Sequence, residues 1–296
     1  MKVRIYKVLF LLGAFVISLS SFLVYKSFHH QNDVGEYLYS NVISDMSNVK
    51  KVLVKVGFEK YNLSLEDDLW RIDNAGGYYA SHFVLNNFLT DIYNSQIFSK
   101  VDEVEDKMFE NPVKIIFFDK DNKVVEKVLV GNRYKNDIYS FVKKNKVVYV
   151  ASGVFEFPKE LISWIQQPAF AINQNNVLSI KVLRDGNLER TSLKNLPNMV
   201  REYLNFTYFD YVMKEGEFDR NQYPQSRIME AETKDGLKVG YEFLSNENES
   251  WVKISLSTNK LPTAKVAEYV KENSFLYEGW FFKVPNDFVK YILEIK

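Results

Sequence analysis

A chain of 296 residues that is 46% apolar, with 23 Phe and 19 Tyr, holds enough apolar material for one large or two smaller packed domains. Lys+Arg and Asp+Glu both number 38, so the formal charge is zero, which argues against nucleic acid as a partner while leaving room for a local basic patch. There is no cysteine, and this excludes disulfides, a Cys-linked lipid anchor, thiolate metal sites and Cys nucleophiles together.

At the N-terminus Lys2, Arg4 and Lys7 precede an uncharged apolar run over residues 8–25, followed by Lys26 and the pair His29 and His30. About 18 apolar residues reach the lower limit for spanning a hydrocarbon core. The basic flank keeps the N-terminus in the cytoplasm and places the rest of the chain across the membrane. A cleaved signal peptide is the competing reading. Ser18-Leu19-Ser20 is a weak cleavage pattern, because bulky Phe22, Leu23, Val24 and Tyr25 follow it. The favoured expectation is an uncleaved single-pass anchor in the bacterial inner membrane, with the C-terminal part outside the cytoplasm. Residues 1–30 are then tip and anchor, and 31–48 a polar, partly helical stalk.

Beyond the stalk the patterns predict an α+β chain in two related units, residues 49–170 and 171–296. Each is expected to be a long helix packed on an antiparallel sheet. In the first, residues 51–56 alternate as a strand, and 61–65 and 69–72 are short hairpin strands around acidic turns. Phe83, Leu85, Phe88, Leu89, Ile92 and Tyr93 recur at helical spacing. Strands follow at 113–118, 124–130, 138–142 and 147–150, and Pro158 opens a short helix. In the second, 177–182 is a strand leading to the Asp185-Gly186 turn, and 196–212 is the long helix. Residues 227–233 and 237–243 form a hairpin around Lys234-Asp235-Gly236, 251–256 is a strand, and 280–285 runs into a helix ending at Ile292.

The duplication rests on residues 155–165 aligning with 282–292. Pro158 meets Pro285, Leu161 meets Phe288, Ile162 meets Val289, and Trp164 meets Tyr291. That period is too long for a solenoid repeat and points to domain duplication. Phe88, Ile92, Leu161 and Trp164 are expected in the first core, and Val200, Leu204, Phe288 and Tyr291 in the second.

Catalytic signatures are missing. No glycine-rich phosphate loop or Gly-x-Ser-x-Gly elbow occurs, and Gly76-Gly77 is a bare pair. His29 and His30 read as interfacial polar residues, and His82 as a surface or capping residue. Residues 119–122 faintly suggest a calcium loop but lack its central Gly and closing Glu, so a hairpin turn is expected. Asp102, Glu103, Glu105 and Asp106 are the least implausible carboxylates for hydrolysis, and a solvated loop is the plainer reading. Trp164, Trp251 and Trp280 suit either a glycan-binding surface or core. No catalytic, cofactor-binding or metal residue is therefore assigned, and no cofactor is expected.

The anchor before residues 51–56, the Leu69-Trp70-Arg71-Ile72 strand with its loop and helix, the Val128–Gly131 strand end and residues 150–155 running into Pro158 and Trp164 carry a resemblance. It spans most of residues 48–182. On these segments the chain resembles the domain-of-unknown-function 4340 family of bacterial envelope proteins, some of which are similar to auxiliary subunits of gliding-motility-type ABC exporters. The family's usual Pro after the Trp strand is replaced here by Asp73-Asn74-Ala75, and its basic Tyr-x-Arg strand is altered. The resemblance implies a non-catalytic, membrane-anchored accessory or assembly protein with an envelope or inner-membrane partner. A periplasmic glycan- or peptide-binding module, and then a carboxylate-dependent hydrolase, are the alternatives.

Overall fold

The computed structural model describes residues 35–134, 138–152, 157–167, 172, 174–184, 187–191 and 209–293. The chain is α+β, with antiparallel sheets and few, short helices, and it divides into two compact units. One comprises Met1–Glu66 with Phe83–Lys159, and the other Asp67–His82 with Glu160–Lys296. The expected boundary at 170 therefore falls some ten residues earlier, and a segment from the first half of the sequence belongs to the second unit. The expected anchor over residues 8–25, with His29 and His30, lies outside the described residues. Among those described, no helix is long and apolar enough to cross a membrane.

In the first unit seven strands pair in the order β2-β1-β6-β7-β8-β9-β5. They are β1 (Lys51–Val56), β2 (Glu59–Glu66), β5 (Ile97–Lys100), β6 (Val113–Phe118), β7 (Val124–Tyr134), β8 (Tyr139–Lys144) and β9 (Val147–Ser152). Alternation sends Val52, Val54, Ile115, Phe117, Val128, Val130 and Val142 to one face, where all are buried. Helix α1 (Ser40–Ser44) and helix α2 (His82–Asn94) belong to this unit apart from His82, and Leu85, Phe88 and Ile92 of α2 are buried. The Phe88 ring stacks on Phe117 with centroids 6.3 Å apart, and Tyr39 meets Phe117 edge-on at 5.7 Å. Phe83 and Tyr93 remain exposed at 73% and 58%, so the apolar stripe of α2 is narrower than its sequence suggests. Residues 38–42 are no stalk. Leu38, Tyr39 and Val42 are fully buried, and the Gly35 N–H donates to the Ile97 carbonyl at 2.7 Å. Gly131 of β7 must be glycine, because a Cβ there would lie 2.2 Å from the Met108 carbonyl oxygen.

The second sheet runs β11-β10-β13-β14-β15-β16-β12. Its strands are β10 (Val177–Arg184), β11 (Asn187–Thr191), β12 (Tyr211–Lys214), β13 (Gln225–Thr233), β14 (Leu237–Ser245), β15 (Ser250–Thr258) and β16 (Trp280–Val284). With β10 set on β1, β11 on β2 and β12 on β5, the meander β13 to β16 falls on β6 to β9, and the two strand orders coincide. Each has a hairpin, a four-strand meander beside it, and a short edge strand that precedes the meander in sequence and closes its far side. All six matched strand pairs are antiparallel in both sheets.

The helices do not share this correspondence. Helix α3 (Leu161–Trp164) is counted with the second unit, with Trp164 buried and Leu161 half-buried. Helix α5 (Asn286–Leu293) follows Pro285 directly and packs on β13 and β14. Between β15 and β16 lies α4 (Ala264–Asn273), capped by the Thr263 side chain, with no counterpart in the tight β8–β9 hairpin. The long helix expected on each sheet is not seen among the described residues. The longest there is the 13-residue α2, and of 196–212 only residues 209–212 are described, with Tyr211 and Val212 in β12. Val200 and Leu204 lie outside the described residues, as do the side chains of Phe288 and Tyr291.

The hairpin β3 (Leu69–Ile72) and β4 (Tyr78–Tyr79) carries Tyr78 into the second core. Its ring meets Trp280 edge-on at 5.0 Å and Phe282 at 5.9 Å, and its hydroxyl donates to the Leu276 carbonyl at 3.0 Å. Burial raises its phenol well above the ordinary tyrosine range.

Candidate functional site

Val56 and Glu59 are cross-strand partners, so Gly57 and Phe58 form a two-residue turn. Gly57 has φ +59° while Phe58 keeps a negative φ, the arrangement of a type II′ turn with glycine first. The turn leaves Phe58 nowhere to pack, and its relative exposure is 102%. Beside it opens a cavity of about 730 Å³ within the first unit, with Val56, Val113 and Phe157 among its walls and Glu59, Arg133 and Lys159 bringing both signs of charge. The Tyr61 hydroxyl donates to the Lys159 carbonyl, and Phe157 packs on Phe88 with centroids 6.0 Å apart, so residues 157–159 are tied to the sheet. A preformed apolar slot beside an exposed aromatic suits an extended segment or a bulky side chain from another molecule.

A second polar feature lies on the core face. Glu126 is 3% exposed and pairs with Lys144 at 3.1 Å, while the Lys144 ammonium also donates to the Leu38 carbonyl at 2.6 Å and the Ser40 hydroxyl at 3.1 Å. The Asn41 N–H donates to the Glu126 carboxylate at 3.3 Å. This pair fastens residues 38–41 to the sheet and is spent on structure.

In the second unit Phe218 stacks on Phe281 at 3.9 Å and on Tyr223 at 4.8 Å, beside Trp251. Arg220 forks onto Glu242 at 2.6 and 3.0 Å, Lys283 pairs with Glu249 at 2.7 Å, and Lys253 bonds Glu215. The Lys253 ammonium holds the Glu215 carboxyl below its usual range, and burial with the hydrogen bond to Glu249 pushes the Tyr223 phenol up to about 12. Every charge in this network has its partner, so it locks the outer face of the sheet.

The residues weighed from sequence are placed as follows. Asp102, Glu103, Glu105 and Asp106 are exposed along one segment, where Glu105 pairs with Lys107 at 2.6 Å. Asp119 accepts from the Asp121 and Lys123 N–H groups at 2.8 Å each, and Asn122 has φ +59°, a hairpin turn. His82 is exposed at the start of α2, its N–H donating to the Gln166 side chain at 3.0 Å. Trp164, Trp251 and Trp280 are 1%, 2% and 4% exposed, so they fill core and offer no glycan platform. Among the described residues no three His, Asp or Glu gather as a metal site. Phe58 was missed by the sequence reading. The available signal was a glycine followed by a bulky aromatic in a two-residue gap between alternating runs.

Compared with known proteins, the chain matches no family model, no curated protein and no solved structure.

Proposed function

We propose that this chain is a membrane-anchored accessory or assembly protein of the bacterial envelope, held by residues 8–25, and that its first unit docks a protein partner through Phe58 and the adjoining cavity. The observation carrying this reading is a fully exposed aromatic beside a ready apolar slot, since burying one such side chain at an interface contributes about 1.5–3 kcal/mol. The sequence resemblance adds that the partner belongs to an ABC-type exporter, and the shared strand order supports descent of the two units from one ancestral sheet. The peptide-binding alternative uses the same cavity with a free segment as ligand, whereas the hydrolase alternative rests only on exposed acids.

Because the chain lacks cysteine, Glu59→Cys introduces a unique thiol in the cavity wall beside an intact Phe58. Crosslinking from that thiol in native membranes is expected to capture one membrane protein reproducibly. The same thiol placed at Leu261, 89% exposed in the second unit, should not capture it. Absence of any specific adduct at residue 59 in intact membranes would count against the proposal.

A further inference from the structure

On the outer face of the first sheet, opposite the buried valines, Lys114, Lys127, Lys143 and Lys146 line a concavity of about 480 Å³ with Leu129 and Asn145. Among the described residues none of the four is joined to a carboxylate. The row continues sideways. Lys60 stands directly across from Lys55, and Lys55 directly across from Lys114, while Lys114 pairs with Leu129 and Leu129 with Lys143. At about 4.8 Å between strands, this is a line of ammonium groups roughly 20 Å long. Like charges placed directly opposite destabilise a sheet, and β1, β6 and β7 are interior strands, so these lysines are not edge protection.

The second sheet has the same strand order, and there lysines face carboxylates across the strands, Lys181 with Glu230, Lys238 with Glu232 and Lys253 with Glu242, even though Lys181 also stands opposite Arg190. In the first sheet no carboxylate stands directly across from Lys55, Lys60, Lys114 or Lys143. Lys146 also sits at φ +69° in the two-residue turn after Asn145, at φ +50°, where the second place of such a turn favours glycine. A lysine held in left-handed backbone at the rim of this cavity is strain of the sort kept where a side chain is used.

We propose that this face binds a linear, phosphate-bearing polyanion lying across the strands. The line of charge is too long for one small oxyanion, and its hollow can admit a chain but not a flat bilayer. Lysine ammonium groups bind phosphate as point charges, and the repeated phosphates of a linear chain match a row of such charges. The site is separate from the Phe58 cavity and does not depend on the partner proposed there.

The test uses the full chain in nonionic detergent, titrated with inorganic polyphosphate of about 15 units. Binding should weaken steeply with salt through counterion release, and Lys114→Gln with Lys143→Gln should cost about tenfold or more in affinity. Lys234→Gln with Lys238→Gln in the second unit should leave binding unchanged. Lys146→Gly should weaken binding while raising Tm, a combination that a merely structural lysine would not show. Unchanged affinity in the folded Lys114/Lys143 variant would overturn the proposal. So would equal competition by orthophosphate at the same concentration, or binding to phosphatidylglycerol vesicles without binding to polyphosphate.

Discussion

Glu126→Ala is expected to lower the unfolding free energy by about 3 kcal/mol, measured by urea denaturation. Removing the carboxylate leaves the Lys144 ammonium, whose side chain is only 11% exposed, with two neutral oxygens in place of its counter-charge. It also strips the Asn41 N–H of its acceptor, so residues 38–41 lose much of their hold on the sheet. Those retained oxygens put the estimate at the low end of the range for breaking a buried pair. The double variant Glu126→Leu with Lys144→Met removes both charges and should recover most of the loss, because an apolar pair of similar volume needs no desolvation. Hydrogen exchange should show the single variant opening first at the Ile43 N–H, which donates to the Tyr39 carbonyl.

Exchange of residues 1–30 for a cleavable signal is expected to abolish function in a complementation assay, even though the released protein folds. Tethering raises the effective concentration of the docking surface near a membrane partner by orders of magnitude. A freely diffusing domain with a single modest interface loses that advantage. A protein acting on a soluble substrate would be largely indifferent to release, so full complementation by the folded, released form would refute the anchored reading.

Much of the fold was legible where period and burial agree. Residues 51–56 alternate and 113–118 are a short apolar run, and both are strands over those same limits, β1 and β6. Period two also places Glu126 with Val128 and Val130 on the core face, a buried charge visible in the strand pattern itself. Other elements are set by distant partners. Tyr211 and Val212 close the helix expected over 196–212, yet pairing of Tyr211 with Lys283 and of Val212 with Phe282 puts them in the edge strand Tyr211–Lys214. Only Val266 of α4 is buried, too thin a stripe to stand out. The alignment on Pro158 and Pro285 matched aromatic-rich segments whose helices belong to different settings, whereas the common strand order was invisible without pairing. The lysine row exists only once five strands are in register, and Phe58, whose turn a glycine–aromatic pair does mark in the sequence, became notable only when that turn left it bare.

The most direct measurement is complementation of a deletion strain by three folded, membrane-inserted variants: Phe58→Asp, Asp102→Ala and Glu105→Ala. Phe58→Asp is expected to be null, because a charge at the centre of an apolar contact abolishes docking. Both acid variants are expected to be silent, since exposed carboxylates typically change stability by less than about 0.5 kcal/mol and no role is assigned to them. A normal Phe58→Asp strain together with a null from either folded acid variant would contradict docking at Phe58, and would move the working site from the hairpin tip to the acidic segment.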